Sequence, residues 1–144
     1  MPKSWQSKIT ELFISETGES YTENTFRMLS IPEWFGNKIL IDTSLYPLPE
    51  SLMGVMWSKP LLENRIRIVA LVIDKKVQNN SHGTMILDDI IGHSKSEGKI
   101  MIQLEVRKSN IKAQKFYSRH GLKIEKTLKN YYSNEDGFLM VGNL

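Results

Sequence analysis

Three groups of residues in this chain have types and spacing suited to chemistry. The first is the polar run Gln78-Asn79-Asn80-Ser81-His82-Gly83-Thr84. It follows the apolar run Ile68-Val69-Ala70-Leu71-Val72-Ile73 and precedes a helical pattern with Met85, Ile86, Leu87, Ile90 and Ile91 on one face. A strand, a polar loop and a helix N-terminus together form a phosphate-binding geometry. The first backbone N–H groups of a helix have no partner within it, and the helix dipole places partial positive charge there. The same run also fits an ordinary strand-to-helix turn. The second group is Glu105, a carboxylate inside the alternating segment Ile100-Met101-Ile102-Gln103-Leu104-Glu105-Val106-Arg107. Glutamate is disfavoured in strands, so Glu105 either serves a reaction or pairs with Arg107 or a lysine. The third group is aromatic: Tyr117, at helical spacing with Ala113 and Phe116, and the adjacent Tyr131 and Tyr132 in a polar stretch. His82, His93 and His120 show no metal-ligand spacing, and no metal site is expected.

The elements that must position these groups follow from hydrophobic periodicity and punctuation. Ile9, Leu12 and Phe13 predict a helix over residues 7–17, closed by Gly18, and Thr22 opens a second helix through Phe26, Met28 and Leu29 that Pro32 ends. Strands are predicted over residues 37–43 and 52–58. The loop between them holds Pro47 and Pro49, which cannot sit in a central strand. Residues 60–64 turn the chain into the run ending at Ile73, which reads as a central strand buried on both faces. The helix opening at Gly83 gives way to a polar break over residues 94–98 and a strand over residues 100–107. A helix capped by Ser109 or Asn110 then runs to His120, closed by Gly121. Strands over residues 122–128 and 138–141 flank a long polar hairpin at residues 129–137. Strand–helix–strand in the middle implies a parallel pair with a right-handed crossover, and hairpins on either side imply antiparallel neighbours. The fold class is therefore α/β (α+β): a mixed, mostly antiparallel sheet with one parallel pair and flanking helices.

Composition narrows the function classes. The 144 residues suit one domain with one core. The absence of cysteine excludes disulfides, cysteine-ligated zinc and a cysteine nucleophile. The net charge of +3 is dispersed, which suits a polyanionic ligand and does not argue for nucleic acid. No apolar run reaches transmembrane length and the first residues lack a signal-peptide core, so the expected location is cytoplasmic.

The second half of the chain resembles the GNAT acetyltransferases. Residues Gln78 to Gly83 are similar to their Q/R-x-x-G-x-G/A loop. Leu104-Glu105-Val106-Arg107-Lys108-Ser109-Asn110 is similar to their L-E-V-R-x-x-N segment, and Asn110-x-x-Ala113-x-x-Phe116-Tyr117-x-x-x-Gly121-Leu122 to the segment that follows. Lys129-Asn130-Tyr131-Tyr132 with Glu135-Asp136 resembles the branch that acetylates protein N-termini, including the ribosomal-protein alanine type. The resemblance covers residues 66–144. It departs from the pattern at Ser81, where a glycine is usual, and at Gln78, Asn79 and Asn80, where arginines are common. The strand expected before the first helix is short or missing.

The resemblance implies acetyl-CoA as co-substrate, no metal, and a single acetyltransferase domain over residues 1–144, with two parallel strands splayed around the pantetheine arm. Backbone groups of Leu71, Val72 and Ile73 would pair with pantetheine. Amides from Asn79 to Thr84, with Gln78 opening the loop, would surround the pyrophosphate, and Asn110 would meet the arm. Tyr117 becomes the candidate acid for the departing thiolate and Glu105 the candidate base. Tyr21, Tyr131 and Tyr132 would wall the acceptor groove. An α-amine, with a pKa of about 7.7–8.0, is easier for one carboxylate to deprotonate than a lysine near ~10.4. The expected acceptor is therefore a protein or peptide N-terminus, with no membrane or nucleic-acid partner. The alternatives are a small-molecule amine or lysine acceptor, and a catalytically weak acyl-CoA-binding module.

Overall fold

The computed structural model describes residues 3–17 and 35–144. The expected helix at residues 22–29 and Tyr21 lie outside the described residues. Among the described residues the order is α1 (Lys3–Thr17), β1 (Lys38–Ile41), β2 (Leu52–Leu61), β3 (Arg65–Ile73), α2 (His82–Ser96), β4 (Met101–Arg107), α3 (Ile111–Arg119), β5 (Lys123–Tyr132) and β6 (Glu135–Asn143). The six strands form one mixed sheet in the order β1-β2-β3-β4-β6-β5. β3 and β4 are parallel, in register from Arg65↔Met101 to Ile68↔Leu104, and antiparallel pairs lie at both ends. By contacts the chain divides into two compact units, residues 1–58 with 70–90 and residues 59–69 with 91–144.

In the first unit α1 buries Trp5, Ile9, Leu12 and Phe13, one stripe at helical spacing. The helix begins earlier than its periodicity predicts because Trp5 extends that stripe by one turn. Its indole Nε1–H donates to Pro47 O at 3.2 Å, and its ring meets Tyr46 edge-on at 6.1 Å. β2 buries Leu52, Val55, Met56 and Trp57, and α2 buries Ile86, Leu87 and Ile90. Met85, expected on the apolar face of α2, is 55% exposed. β2 runs three residues past its expected end; Lys59 and Pro60 are exposed there, where a proline is tolerated. The buried Ser58 at that end donates its N–H to Asn37 Oδ1 at 3.0 Å, so these polar groups are satisfied.

In the second unit Ile102, Leu104 and Val106 are buried on one face of β4, with Tyr117, Leu122 and Met140 also in the core. β3, whose residues 65–69 belong to this unit and 70–73 to the first, departs from the expected burial on both faces. Ile66, Ile68 and Val72 are buried, but Arg65, Arg67, Val69, Leu71 and Ile73, which share the other face, are only half-buried, and two of these five are arginines. The expected nine-residue hairpin loop is also corrected. Tyr132 pairs with Glu135, so only Ser133 and Asn134 turn the chain. The polar residues before them stay in β5 across a register shift between Leu128 and Tyr132. Asn130 there adopts φ 53° and donates its N–H to Asp136 Oδ1 at 2.8 Å.

Candidate functional site

The candidate phosphate loop lies in the first unit. Asp74 follows β3, donates its N–H to Met53 O at 2.7 Å and receives Lys76 N–H on its carboxylate at 3.0 Å, capping a short 3-10 turn over Lys75–Val77. Lys8 of α1 pairs with the same carboxylate at 3.6 Å. Gln78 folds back and donates Nε2–H to Ile73 O at 2.7 Å, and Asn80 donates Nδ2–H to Val77 O at 3.3 Å. The loop thus uses its amide side chains to hold its own backbone. Asn79 at φ 65° and Ser81 at φ 63° both lie in the left-handed region. The serine stands where the family pattern has glycine, and it takes the strained conformation that glycine serves. Met85 N–H donates to Ser81 O at 3.0 Å, closing the first turn of α2, which has no acidic side chain. The amides of His82 and Gly83 precede that bond and have no partner within the helix. Lys75 and Lys76, on the 3-10 turn that opens the loop, are exposed.

The strand edge corrects one expectation. Backbone groups alternate sides along a strand, and Asp74 N–H is directed at β2. Val72 O faces β2 as well, since a Cβ added at Gly54 would lie 3.0 Å from it. Of Leu71, Val72 and Ile73, therefore, only Leu71 and Ile73 turn their backbone groups to the other edge. Ile73 O keeps one lone pair beyond the Gln78 bond.

The candidate acid and base lie in the second unit. Glu105, on the β4 face opposite Leu104 and Val106, pairs with Arg67 of β3, Nε to Oε2 at 3.0 Å, rather than with Arg107 or a lysine. The two side chains are 25% and 15% exposed, arginine first. Arg67 also donates Nη2–H to the Tyr131 hydroxyl at 3.4 Å. Burial works against the Arg67 charge, but the hydrogen bond and charge of Glu105, aided by Tyr131, outweigh it and raise its pKa above the ordinary value. Arg67 is the residue that reading the sequence missed. Its signal was a charge inside an apolar strand; which carboxylate it would meet depends on the β3–β4 register.

Tyr117 sits on α3, 8% exposed and edge-on to Phe116 at 5.1 Å between ring centres. Burial pushes its phenol pKa above the ordinary value, so the group stays a neutral donor near pH 7. Asn110 caps α3, its Oδ1 receiving Ala113 N–H at 3.1 Å. The cap uses the acceptor and leaves the amide donor for another partner. Tyr131 and Tyr132 pack edge-on at 5.0 Å, and the Arg107 guanidinium lies 4.3 Å from the Tyr132 ring centre. Arg107 also pairs with Glu135 at 3.7 Å. Glu135 is held below the usual carboxylate range first by the Ser109 N–H at 2.9 Å, then by its hydroxyl. The hairpin is thereby fastened to the start of α3. Among the described residues no cluster of histidine or carboxylate side chains could hold a metal ion, and no helix is long and apolar enough to cross a membrane.

The family model for the acetyltransferase (GNAT) family matches residues 7–122. The chain belongs to the GNAT acetyltransferase family. It is accordingly an acetyltransferase, of a family that uses acetyl-CoA. No curated protein matches it by sequence. Solved GNAT-like structures share its fold. Ard1 from Thermoplasma volcanium aligns with a TM-score of 0.83 and 22% identity, over 100% of this chain and 93% of its own. The NatC complex bound to Gag peptide and CoA aligns with a TM-score of 0.81 and 21% identity, over 99% of this chain and 92% of the other. A ribosomal-protein alanine N-acetyltransferase from Escherichia coli aligns with a TM-score of 0.78 and 18% identity, over 99% and 90%. At these identities the likeness establishes the GNAT fold, and the acceptor has to be argued from the residues.

Proposed function

We propose that this GNAT chain, acting as one acetyltransferase domain over residues 1–144, transfers acetyl from acetyl-CoA directly to the N-terminal α-amine of a protein or peptide. Acetyl-CoA supplies the activated acetyl group; the chain supplies binding, orientation and proton handling. The residues present suit it. Leu71 and Ile73 offer strand-edge groups to an amide-bearing arm, Asn110 offers an amide donor, and the amides opening α2 offer an anion site, with the exposed Lys75 and Lys76 in the loop that leads to it. Tyr117 donates from a neutral phenol to the departing sulfur. A thiol has a pKa of about 8.5, well below that of this buried phenol, so the phenol acts chiefly by hydrogen bonding. Glu105 receives the acceptor's proton, directly or through one water.

The observation that carries the acceptor assignment is the chain of contacts Glu105–Arg67–Tyr131. It ties the candidate base to a half-exposed tyrosine of the β5–β6 hairpin, a wall along which an extended peptide can lie. An α-amine, with a pKa of about 7.7–8.0, gives up its proton to a single carboxylate or water far more readily than a lysine near ~10.4. The relatives of known chemistry, among them the alanine N-acetyltransferase and the peptide-bound NatC complex, are consistent with this reading. The test is acetyl transfer to peptides differing at their first two residues, with spermine and free lysine as controls. Turnover of peptide N-termini above both controls is expected. A preference for spermine or lysine over every peptide would discard the acceptor and leave the acetyl-CoA reading standing.

A further inference from the structure

The sheet face that carries Glu105 has a charge balance that acetyl transfer does not by itself require. Residues paired across strands point to the same face. The register Arg67↔Gln103, Glu105↔Leu139 and Arg107↔Gly137 therefore places Arg65, Arg67, Glu105 and Arg107 together. The carboxylates that meet these arginines are already engaged: Glu105 is held by Arg67 at 3.0 Å and Glu135 by Arg107 at 3.7 Å. Arg65 donates Nη1–H to Gln103 Oε1 at 3.0 Å, a neutral partner that leaves its charge uncancelled. The same register sets the exposed Lys123 and Lys126 of β5 on this face, opposite Val141 and Leu139. The surroundings of the candidate base are thus net positive. Arg67 has donors to spare: of five N–H groups, Nε serves Glu105 and one on Nη2 serves Tyr131, and its side chain is 25% exposed.

We propose that Arg67, with Arg65 beside it, is a specificity-determining pair that selects acceptor peptides with acidic side chains just after the N-terminal amine and disfavours basic ones. This rests on the peptide α-amine reading above. A carboxylate on the second or third residue meets a guanidinium with free donors in a partly dehydrated site, where a charged hydrogen bond is strong. A lysine or arginine there meets like charge, which raises the cost of the wrong acceptor.

The experiment compares two peptides that differ only in carrying Glu-Glu or Lys-Lys at the second and third residues. The purified full chain and its Arg67→Met, Arg67→Lys and Arg65→Met variants are each assayed for kcat/KM. The parent is expected to prefer the acidic peptide by at least about tenfold. Arg67→Met narrows that ratio by roughly fivefold or more whatever it does to the absolute rate, Arg67→Lys keeps most of it because the charge remains, and Arg65→Met narrows it while leaving the Arg67–Glu105 pair intact. Raising salt from roughly 50 to 500 mM narrows the parent's ratio by screening, a readout that needs no variant. Equal turnover of the two peptides, or a ratio that Arg67→Met and salt leave unchanged, overturns the inference alone. A parent that acetylates neither peptide but acetylates spermine overturns the peptide reading and this inference with it. Should Arg67→Met not fold, Arg65→Met and the salt series decide.

Discussion

Replacing Tyr117 with Phe separates the catalytic from the packing role of this residue, because phenylalanine keeps the ring against Phe116 and removes only the hydroxyl. If the phenol supports the departing sulfur, kcat falls by ~10²-fold, which is about 2.7 kcal/mol of lost transition-state stabilisation. The stability change near pH 7 is small. The ring is retained, and a hydroxyl in a site 8% exposed costs about as much to desolvate as it returns, so a shift within ~1 kcal/mol, or about 2–4 °C in Tm, is expected. Alkaline pH sharpens the test. The folded-state pKa of Tyr117 is raised by burial, so the unfolded chain ionises first. That contribution is fully present below the ordinary value of about 10 and is lost as pH rises from there through the folded-state pKa. The parent therefore loses stability above about pH 10 relative to Tyr117→Phe, by about 1.4 kcal/mol for each tenfold difference in acidity between the unfolded and the folded phenol. The assays are single-turnover acetyl transfer at pH 7.5 and urea melts of both proteins from roughly pH 7 to 11. A variant that melts several degrees lower with turnover intact would refute the catalytic reasoning. Parallel stability curves through the alkaline range would refute the electrostatic part.

Gly83→Asp places a negative charge in the first turn of α2, where it favours the helix but repels a pyrophosphate; calorimetry should show acetyl-CoA binding weakened at least about tenfold, ~1.4 kcal/mol, with no loss of Tm. No binding of acetyl-CoA to the parent at millimolar ligand would remove the loop assignment altogether. Ser81→Gly relieves a left-handed backbone worth roughly 1–2 kcal/mol against a glycine entropy cost of roughly 0.5–1 kcal/mol, so a net gain near ~0.5–1 kcal/mol is expected in urea unfolding, and a loss would mean the serine side chain is needed. Glu105→Gln keeps an acceptor for Arg67 and removes the charge; kcat/KM on one peptide should fall most at low pH, the defect narrowing as pH passes the amine's own pKa of ~7.7–8.0. A pH-independent defect would mean that Glu105 orients the substrate without taking its proton.

Much of this molecule is fixed by local pattern. The six strands, the order of strands and helices in the second half and the strand–loop–helix unit around Gly83 all follow from periodicity and turn residues, because alternation and helical spacing report burial one element at a time. The motif around Leu104–Asn110 and Ala113–Leu122 was likewise legible, and with it the family. What the tertiary structure decided depends on partners far along the chain. Trp5 joins α1 through Pro47 and Tyr46, some forty residues away, so the helix starts earlier than its own spacing shows. The positive φ of Asn130 and the shift beside it carry β5 through polar residues that look like loop, because a bulge keeps a ladder going where composition argues for a turn. Val72 loses its assigned role to strand alternation, which sends its carbonyl to β2. The pairing of Arg67 with Glu105 across 38 residues rests on the parallel register of β3 and β4. A one-residue slip there would turn the arginine to the opposite face, and only the assembled sheet sets that register.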